Sequence, residues 1–288
     1  MNITHDLHMH SYLSFCGKDE ATVENYIAQA PELGLTTIGI TDHEWDDACP
    51  GMPWWYRQTD IQNVEHVLQL QSVLEQYRGR GVELLMGCEA EYDYPGRGVR
   101  ILHGCEAEYD YPARSTALSM AAAEQFDFII ASSSHTGNTM PKAFYDPPRR
   151  HAEFMLQAYE DMLKSDVSRY FTAMAHPFHA VLCPYGHELP IEAITDDEYK
   201  RIFDLTAKKG IAVEINIKCL VGYHAERTDD IVNQPHMRMF RIAKERGCRF
   251  IFGTDCHWMD AQRVILSAPI VADALGLTEE DLHPIVRE

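Results

Sequence analysis

Short apolar runs alternate with amphipathic stretches along the chain, and that alternation predicts the elements. Residues 3–8 read as a first strand, and 21–33 as a helix that Gly34 is placed to end. Residues 37–41 (TIGIT) form a β-branched run. Over 61–77 the apolar residues Ile61, Val64, Val67, Leu68, Val73 and Leu74 fall at helical spacing, followed by the breaker Gly79-Arg80-Gly81. Further strands are predicted at 82–88, 126–131, 171–175, 211–217 and 249–253, and further helices at 117–125, 151–163, 197–208, 235–245 and 261–275. Nearly continuous apolar strands between helices indicate a parallel sheet covered by helices. No linker or low-complexity boundary interrupts the seven units, so residues 1–288 read as one α/β barrel domain, with an open doubly wound sheet as the other architecture.

One segment breaks the regularity. Residues 79–95 recur at once as 96–112, with only three positions changed. Two copies of this length are a local tandem duplication, not a solenoid repeat. Only one copy can fill a barrel strand. The first copy is expected to do so, because it follows the helix-ending glycine directly. It also turns Met86 toward the covering helices where the second copy has His103, and a methionine suits that place better.

Composition narrows the class. With 44 acidic against 25 basic residues the formal net charge is -19, which disfavours nucleic acid and anionic membrane as partners. Most of this charge is expected on a solvated surface; the rest suits a protein that holds cations. The N-terminus has no basic-then-apolar leader, and no apolar run has the ~18–20 residues of a membrane span. Eight cysteines without a C-x-x-C pair point to a reducing compartment, hence a cytoplasmic protein.

The chemistry concentrates where predicted strands end. Asp6-Leu7-His8-Met9-His10 closes the first strand and Asp42-His43 the second. Glu89, His135, His176 and Asp255-Cys256-His257 close later ones, and Glu214 and Asn216 lie within the sixth. Each alone is ordinary: an H-x-H pair is commonly incidental, and a lone histidine after a strand is usually just hydrogen-bonded. Together they are not, because all strand ends of a parallel barrel open onto one face. About six histidines with two or three carboxylates exceed the four ligands of one zinc, so two or three divalent ions are expected. Such ions share and acidify a water and clamp phosphate oxygens.

In chain order the motifs are D-L-H-x-H, T-D-H, G-C-E, S-x-H, A-H-P, E-I-N and G-T-D-x-H, from Asp6 to His257. This ordered set resembles the PHP (polymerase and histidinol phosphatase) superfamily. The resemblance implies a distorted (β/α)7 TIM-like barrel, a trinuclear site of Zn, Mn or Fe, and hydrolysis of phosphate esters. It implies His8, His10, His43, Glu89 or its twin Glu106, His135, His176, Asp255 and His257 as ligands. The chain departs from the pattern at Cys16, where relatives often carry a histidine or aspartate ligand. Cys16 is either a thiolate ligand that favours zinc or a small buried residue beside a weakened third site. Residues 137–150 carry no assignable motif.

Asp255 and His257 are expected to be catalytic as well as ligating. His179 and His224, just beyond strand ends, are candidate general acids, and His224 a candidate substrate contact. Arg149 and Arg150 are the leading candidates to grip phosphate, since a guanidinium fork matches it; Lys142, Lys218 and Arg227 are further loop cations. Asp6 and Asp42 are candidates to fix neighbouring imidazoles, as are Glu214 and Asn216. Trp45, Trp54, Trp55 and Tyr56 form an aromatic loop that is a lid, a contact surface or a cover for apolar surface. The expected function is hydrolysis of a small phosphomonoester of the histidinol phosphate type through a metal-activated hydroxide. The alternatives are a metal-dependent amidohydrolase or deaminase, and a non-enzymatic metal-binding regulatory module. The expected partner is a small phosphorylated substrate, with no stable nucleic-acid complex and no membrane.

Overall fold

The computed structural model describes residues 1–53, 63–77, 83–84, 99–181, 186–222 and 228–287. Its strands are β1 (His5–Met9), β2 (Thr37–Glu44), β3 (Glu83–Leu84), β4 (Arg100–Asp110), β5 (Ser115–Thr116), β6 (Phe128–Ser132), β7 (Phe171–Ala175), β8 (Ala212–Asn216) and β9 (Phe250–Gly253). Seven lie side by side and parallel in the order β1-β2-β4-β6-β7-β8-β9, with the short β3 and β5 attached to β4. Past the end of β9 the chain returns to β1. Met9 bridges Cys256 in parallel, the Asp255 amide donates to the His8 carbonyl at 2.7 Å, and the His10 amide donates to the Cys256 carbonyl at 2.9 Å. The result is a nearly closed, distorted (β/α)7 barrel rather than an open sheet.

Every residue of these seven strands is buried, which is why their sequences run apolar without strict alternation. Below the strand ends the interior is apolar. The Phe128 ring lies over two glycines of the adjoining strands, and a Cβ on Gly39 or Gly104 would come within 2.5 Å of it. Gly39 shares the face of His43, and Gly104 that of Glu106, so this ring floors the site.

Helices cover the barrel where local signals allow them. The helix Asp196–Lys209 starts in a capping box of Thr195 and Glu198 and ends at Gly210, whose φ of 72° suits glycine. Three helices are more broken than the periodicity predicts. The predicted helix over 61–77 gives Val64–Val67 and Gln69–Glu75. Residues 21–33 divide into Val23–Gln29 and the 3-10 turn Ala30–Leu33, and 261–275 into the 3-10 segment Met259–Ser267 and the helix Ala268–Leu275. The latter two breaks fall at a proline, Pro31 or Pro269, which cannot donate the amide a continuing helix needs.

The tandem segment is resolved against the sequence expectation. The second copy is the barrel strand: β4 pairs with β2 over Arg100–Ala107 and with β6 over Gly104–Glu108. Of the first copy, β3 runs beside Arg100 and Ile101, and the remainder, Glu89 included, lies outside the described residues. The changed positions account for the choice. The Arg100 guanidinium donates to the Ile285 carbonyl at 2.8 Å, which a glutamate in that place cannot do. His103 is accommodated as a buried ring against Phe126, 5.1 Å between centroids, with burial lowering its pKa to about 4 and keeping it neutral.

Candidate metal centre

The strand ends deliver one cluster. Glu106 of β4 is its middle, fully buried, and its two oxygens face different imidazoles. Oε1 lies 2.9 Å from His176 Nε2 and 3.5 Å from His135 Nε2. Oε2 lies 2.9 Å from His43 Nδ1, 3.5 Å from His8 Nε2 and 3.7 Å from His10 Nε2. Asp255 Oδ1 stands 3.1 Å from His10 Nε2 and 3.8 Å from His8 Nε2, while its Oδ2 accepts from the Lys218 ammonium. Four sets of ligand atoms each fit within 4.8 Å: His8/Glu106/His176, His8/His10/Asp255, His43/Glu108/His135 and His10/Cys16/His43/His257.

These donors are suited to cations. His8 Nε2, both nitrogens of His10, His43 Nδ1 and Glu106 Oε2 are buried without a well-aligned hydrogen bond, although several face one another as ion pairs. Buried polar atoms so placed cost free energy that divalent ions between them would offset. Charge already alternates through the cluster. Burial would raise the Glu106 pKa, but His135, His43 and His8 hold it well below the ordinary carboxylate range. Burial would likewise raise Asp255, and Lys218 and His8 more than offset it. Burial would lower His8, and Glu214, Asp255 and Glu106 lift it well above an ordinary histidine. His10 stays well below, from burial and from the neighbouring His43 and His257.

A surrounding shell holds the rings. Glu214 Oε1 lies 2.8 Å from His8 Nδ1, and its Oε2 accepts the His176 amide at 2.5 Å; the Asn216 amide group donates to Glu214 at 3.2 Å. Ser134 Oγ lies 2.6 Å from His176 Nδ1, and Glu108 Oε1 2.8 Å from His135 Nδ1. Such contacts fix tautomers and aim the other ring nitrogen inward. Gly253 makes room for this shell, since a Cβ there would meet Glu214 Oε1 at 2.2 Å. Asp6 and Asp42 work differently from the sequence expectation: Asp6 accepts from Thr254 and the His8 amide, Asp42 from Ser11, and neither bonds an imidazole. His176 and Asp255 sit at positive φ, 23° and 50°, a conformation that L-residues adopt at a cost and that clusters at functional sites.

The expected ligands His8, His10, His43, Glu106, His135, His176, Asp255 and His257 are thus brought together. Glu89 and His224 lie outside the described residues. Arg149 lies elsewhere: its guanidinium is taken up by Glu198 at 2.6 and 2.8 Å, Glu153 at 3.0 Å and the Ala193 carbonyl at 2.9 Å, because two acids on helical surfaces match its fork. Arg150, in the first turn of the helix Pro148–Lys164, is exposed and donates to the Ala143 carbonyl of the preceding 3-10 turn at 3.1 Å. His179 belongs to a second imidazole group, 3.1 Å from His236 Nε2 and stacked on His187, where burial and neighbouring positive charge hold its pKa well below the ordinary value. Trp45 is buried with Ala117, Cys49 and Met52, and so covers apolar surface; Trp54, Trp55 and Tyr56 lie outside the described residues. Two participants were missed as such. Glu108 lies two residues beyond Glu106 and therefore on its face, a legible signal; Lys218 was read only as a loop cation, not as the partner of Asp255.

Comparison with known proteins agrees with this geometry. The family model of the PHP domain matches residues 6–218. A search of curated proteins finds no match. Among solved structures, the histidinol phosphate phosphatase of Lactococcus lactis subsp. lactis Il1403, complexed with zinc, L-histidinol and phosphate, superposes with a TM-score of 0.64 at 19% identity, covering 96% of this chain and 94% of that one. A Listeria monocytogenes protein assigned as a histidinol phosphatase superposes with a TM-score of 0.58 at 14% identity, covering 89% and 96%. At these identities the likeness is one of fold.

Proposed function

Because this chain belongs to the PHP domain family, we propose that it is a metal-dependent phosphoesterase acting on a small phosphomonoester of the histidinol phosphate type, with two or three divalent ions of Zn, Mn or Fe. The observation that carries this reading is Glu106, whose two oxygens each face a separate group of imidazoles. A carboxylate so placed suits two adjacent cations. Ions bound there would acidify a water and offset charge on the phosphate.

The protein's own groups have definite tasks. Glu106, Asp255 and the six imidazoles hold the cations, and Glu214, Ser134 and Glu108 keep the rings aimed. Lys218, at the outer oxygen of Asp255, offers a positive charge to a phosphate oxygen, the task first given to Arg149. His179 offers an N–H to the alcohol oxygen. An acidic recess lined by Asp46, Asp47, Glu65 and His66 begins three residues beyond His43 and suits a cationic group on the alcohol. The Lactococcus lactis structure, with histidinol and phosphate bound, supports the same substrate type. The six described cysteines are free thiols, which supports a reducing, cytoplasmic setting; no described helix is long and apolar enough to cross a membrane.

The test is a panel of phosphate esters assayed with and without chelator, alongside metal analysis. Phosphate release is expected only with metal. Glu106→Gln should lower kcat/KM at least ~100-fold and Glu89→Gln by less than about twofold. Metal-dependent release of ammonia from amides without phosphate release, or a Glu89→Gln loss equal to that of Glu106→Gln, would overturn the reading.

A further inference from the structure

Beside the metal centre lies a second imidazole group that the cation ligands do not use. His176 and Phe178 adopt positive φ, 23° and 60°, so the chain doubles back, and the His179 amide donates to the His176 carbonyl at 3.2 Å. The turn sets His179 within electrostatic reach of His176 and Lys218. Two further rings then fix its own. His187 stacks on it, 4.6 Å between centroids and 26° between planes, and is itself held by Nδ1, 2.6 Å from the Ala180 carbonyl. A carbonyl only accepts, so that nitrogen carries the His187 proton. His236 takes a ring nitrogen instead: its Nε2 lies 3.1 Å from His179 Nδ1.

In that contact one nitrogen carries a proton and the other a lone pair. His236 decides which. Its ring is 3% exposed, and burial lowers its pKa to about 4, so it is neutral near neutral pH. Its Nδ1, the nitrogen nearer the backbone, is buried with no hydrogen-bond partner. His236 is also the second residue of the helix Pro235–Glu245. The unpaired amides and positive end of a helix there favour a lone pair on Nδ1 over an N–H. The His236 proton is therefore on Nε2, which donates to His179 Nδ1, and the His179 proton is on Nε2. Among the described residues no protein group hydrogen-bonds His179 Nε2, and the ring is only half-buried, so this N–H is available to a bound molecule.

We propose that His236 is a positioning residue of the reaction: by donating to His179 Nδ1 it fixes the tautomer in which His179 turns Nε2–H toward the bridging oxygen of the phosphate ester. This rests on the phosphoesterase reading. Charge develops on that oxygen as the P–O bond breaks, and an N–H aimed at it stabilises the charge. The proton stays on His179, because a neutral imidazole polarises an oxygen without giving up its proton; the departing oxygen takes its proton from water. The other tautomer would face the same oxygen with a lone pair. The stacked His187 keeps the ring from turning.

The tautomer can be read without substrate. In the zinc-loaded full chain labelled with nitrogen-15 histidine, the His179 signals, assigned by their loss in His179→Gln, should show a protonated Nε2 and an unprotonated Nδ1. In His236→Leu the two forms should interconvert and their shifts average. That variant should lose at least ~10-fold in kcat for histidinol phosphate, with KM changed less than about twofold. For p-nitrophenyl phosphate, whose leaving group needs no help, kcat should fall less than about twofold. His236→Gln, whose side-chain amide can still donate to Nδ1, should restore most of the loss. A His179 ring protonated on Nδ1 or on both nitrogens, equal losses with the two esters, or no rescue by glutamine would overturn the proposal and leave the phosphoesterase reading standing. Failure of the metal-loaded protein to hydrolyse any phosphate ester would overturn that reading and, with it, the use proposed for the N–H.

Discussion

His103 illustrates what one residue decides. Its ring is 4% exposed and its pKa is lowered to about 4, as are those of His151 and His236; His5 falls to about 3. In each the cause is burial, which disfavours the charged ring. The unfolded chain therefore takes up protons that the folded one refuses. The stability these groups contribute is complete above the ordinary value of 6.5 and declines as pH falls from there to about 4. His103→Met, which installs the residue of the first copy, should remove one share of that decline, about 1–2 kcal/mol near pH 5. Urea unfolding of both proteins at pH 7.5 and pH 5 measures it, and identical declines would refute it. The preference for the first copy rested in part on this histidine, and in part on its place directly after the helix-ending glycine. Read as polar, it looked unfit for a helix-facing place; read as a neutral ring beside Phe126, it fits. The ligands were legible because type and position coincide: a histidine or acid at the end of a strand has few other reasons to be there. Glu108 obeys the same rule through the two-residue period of a strand.

At the scale of elements, the helices Pro148–Lys164 and Asp196–Lys209 are tied by Arg149 and Glu198 near their first turns. The Arg149 hydrogen bond is the main cause that lowers the Glu198 pKa to about 2. Both side chains are partly exposed, so the pair is worth only about 0.5–1 kcal/mol. Arg149→Ala should lose about that much stability and leave KM for a phosphate ester within about twofold. Unfolding curves and steady-state kinetics check it; a many-fold rise in KM would return Arg149 to the substrate. Nothing near Arg149 in sequence betrays its partner, which arrives 49 residues later. Order and spacing of strands were readable because each is a short run buried on both faces. Helix ends were less so, because Pro31 and Pro269 interrupt hydrogen bonding without interrupting the apolar period.

For the whole molecule, the ions and the net charge of -19 bear on each other. A fold that gathers Glu106, Glu108, Glu214 and Asp255 around buried imidazoles should be more stable loaded than stripped. At a free-ion concentration of about 100–1,000 times Kd, binding adds ~3–4 kcal/mol, which for a chain of this size is about 5–10 °C in melting temperature. Calorimetry before and after chelation tests this, with metal analysis confirming removal; an unchanged melting temperature would count against ions as part of the folded core.

The two copies of the strand segment share the stretch GCEAEYDYP, so a newly made chain meets two candidates for one berth between β2 and β6. Either would bring an identical glutamate to the middle of the cluster. The chemistry is thus indifferent to which is seated, and discrimination falls to the far rim of the barrel, where Arg100 finds the Ile285 carbonyl and Glu83 would find an acceptor it cannot satisfy. The residues that tell the two copies apart thus lie toward the end of the strand most remote from its work.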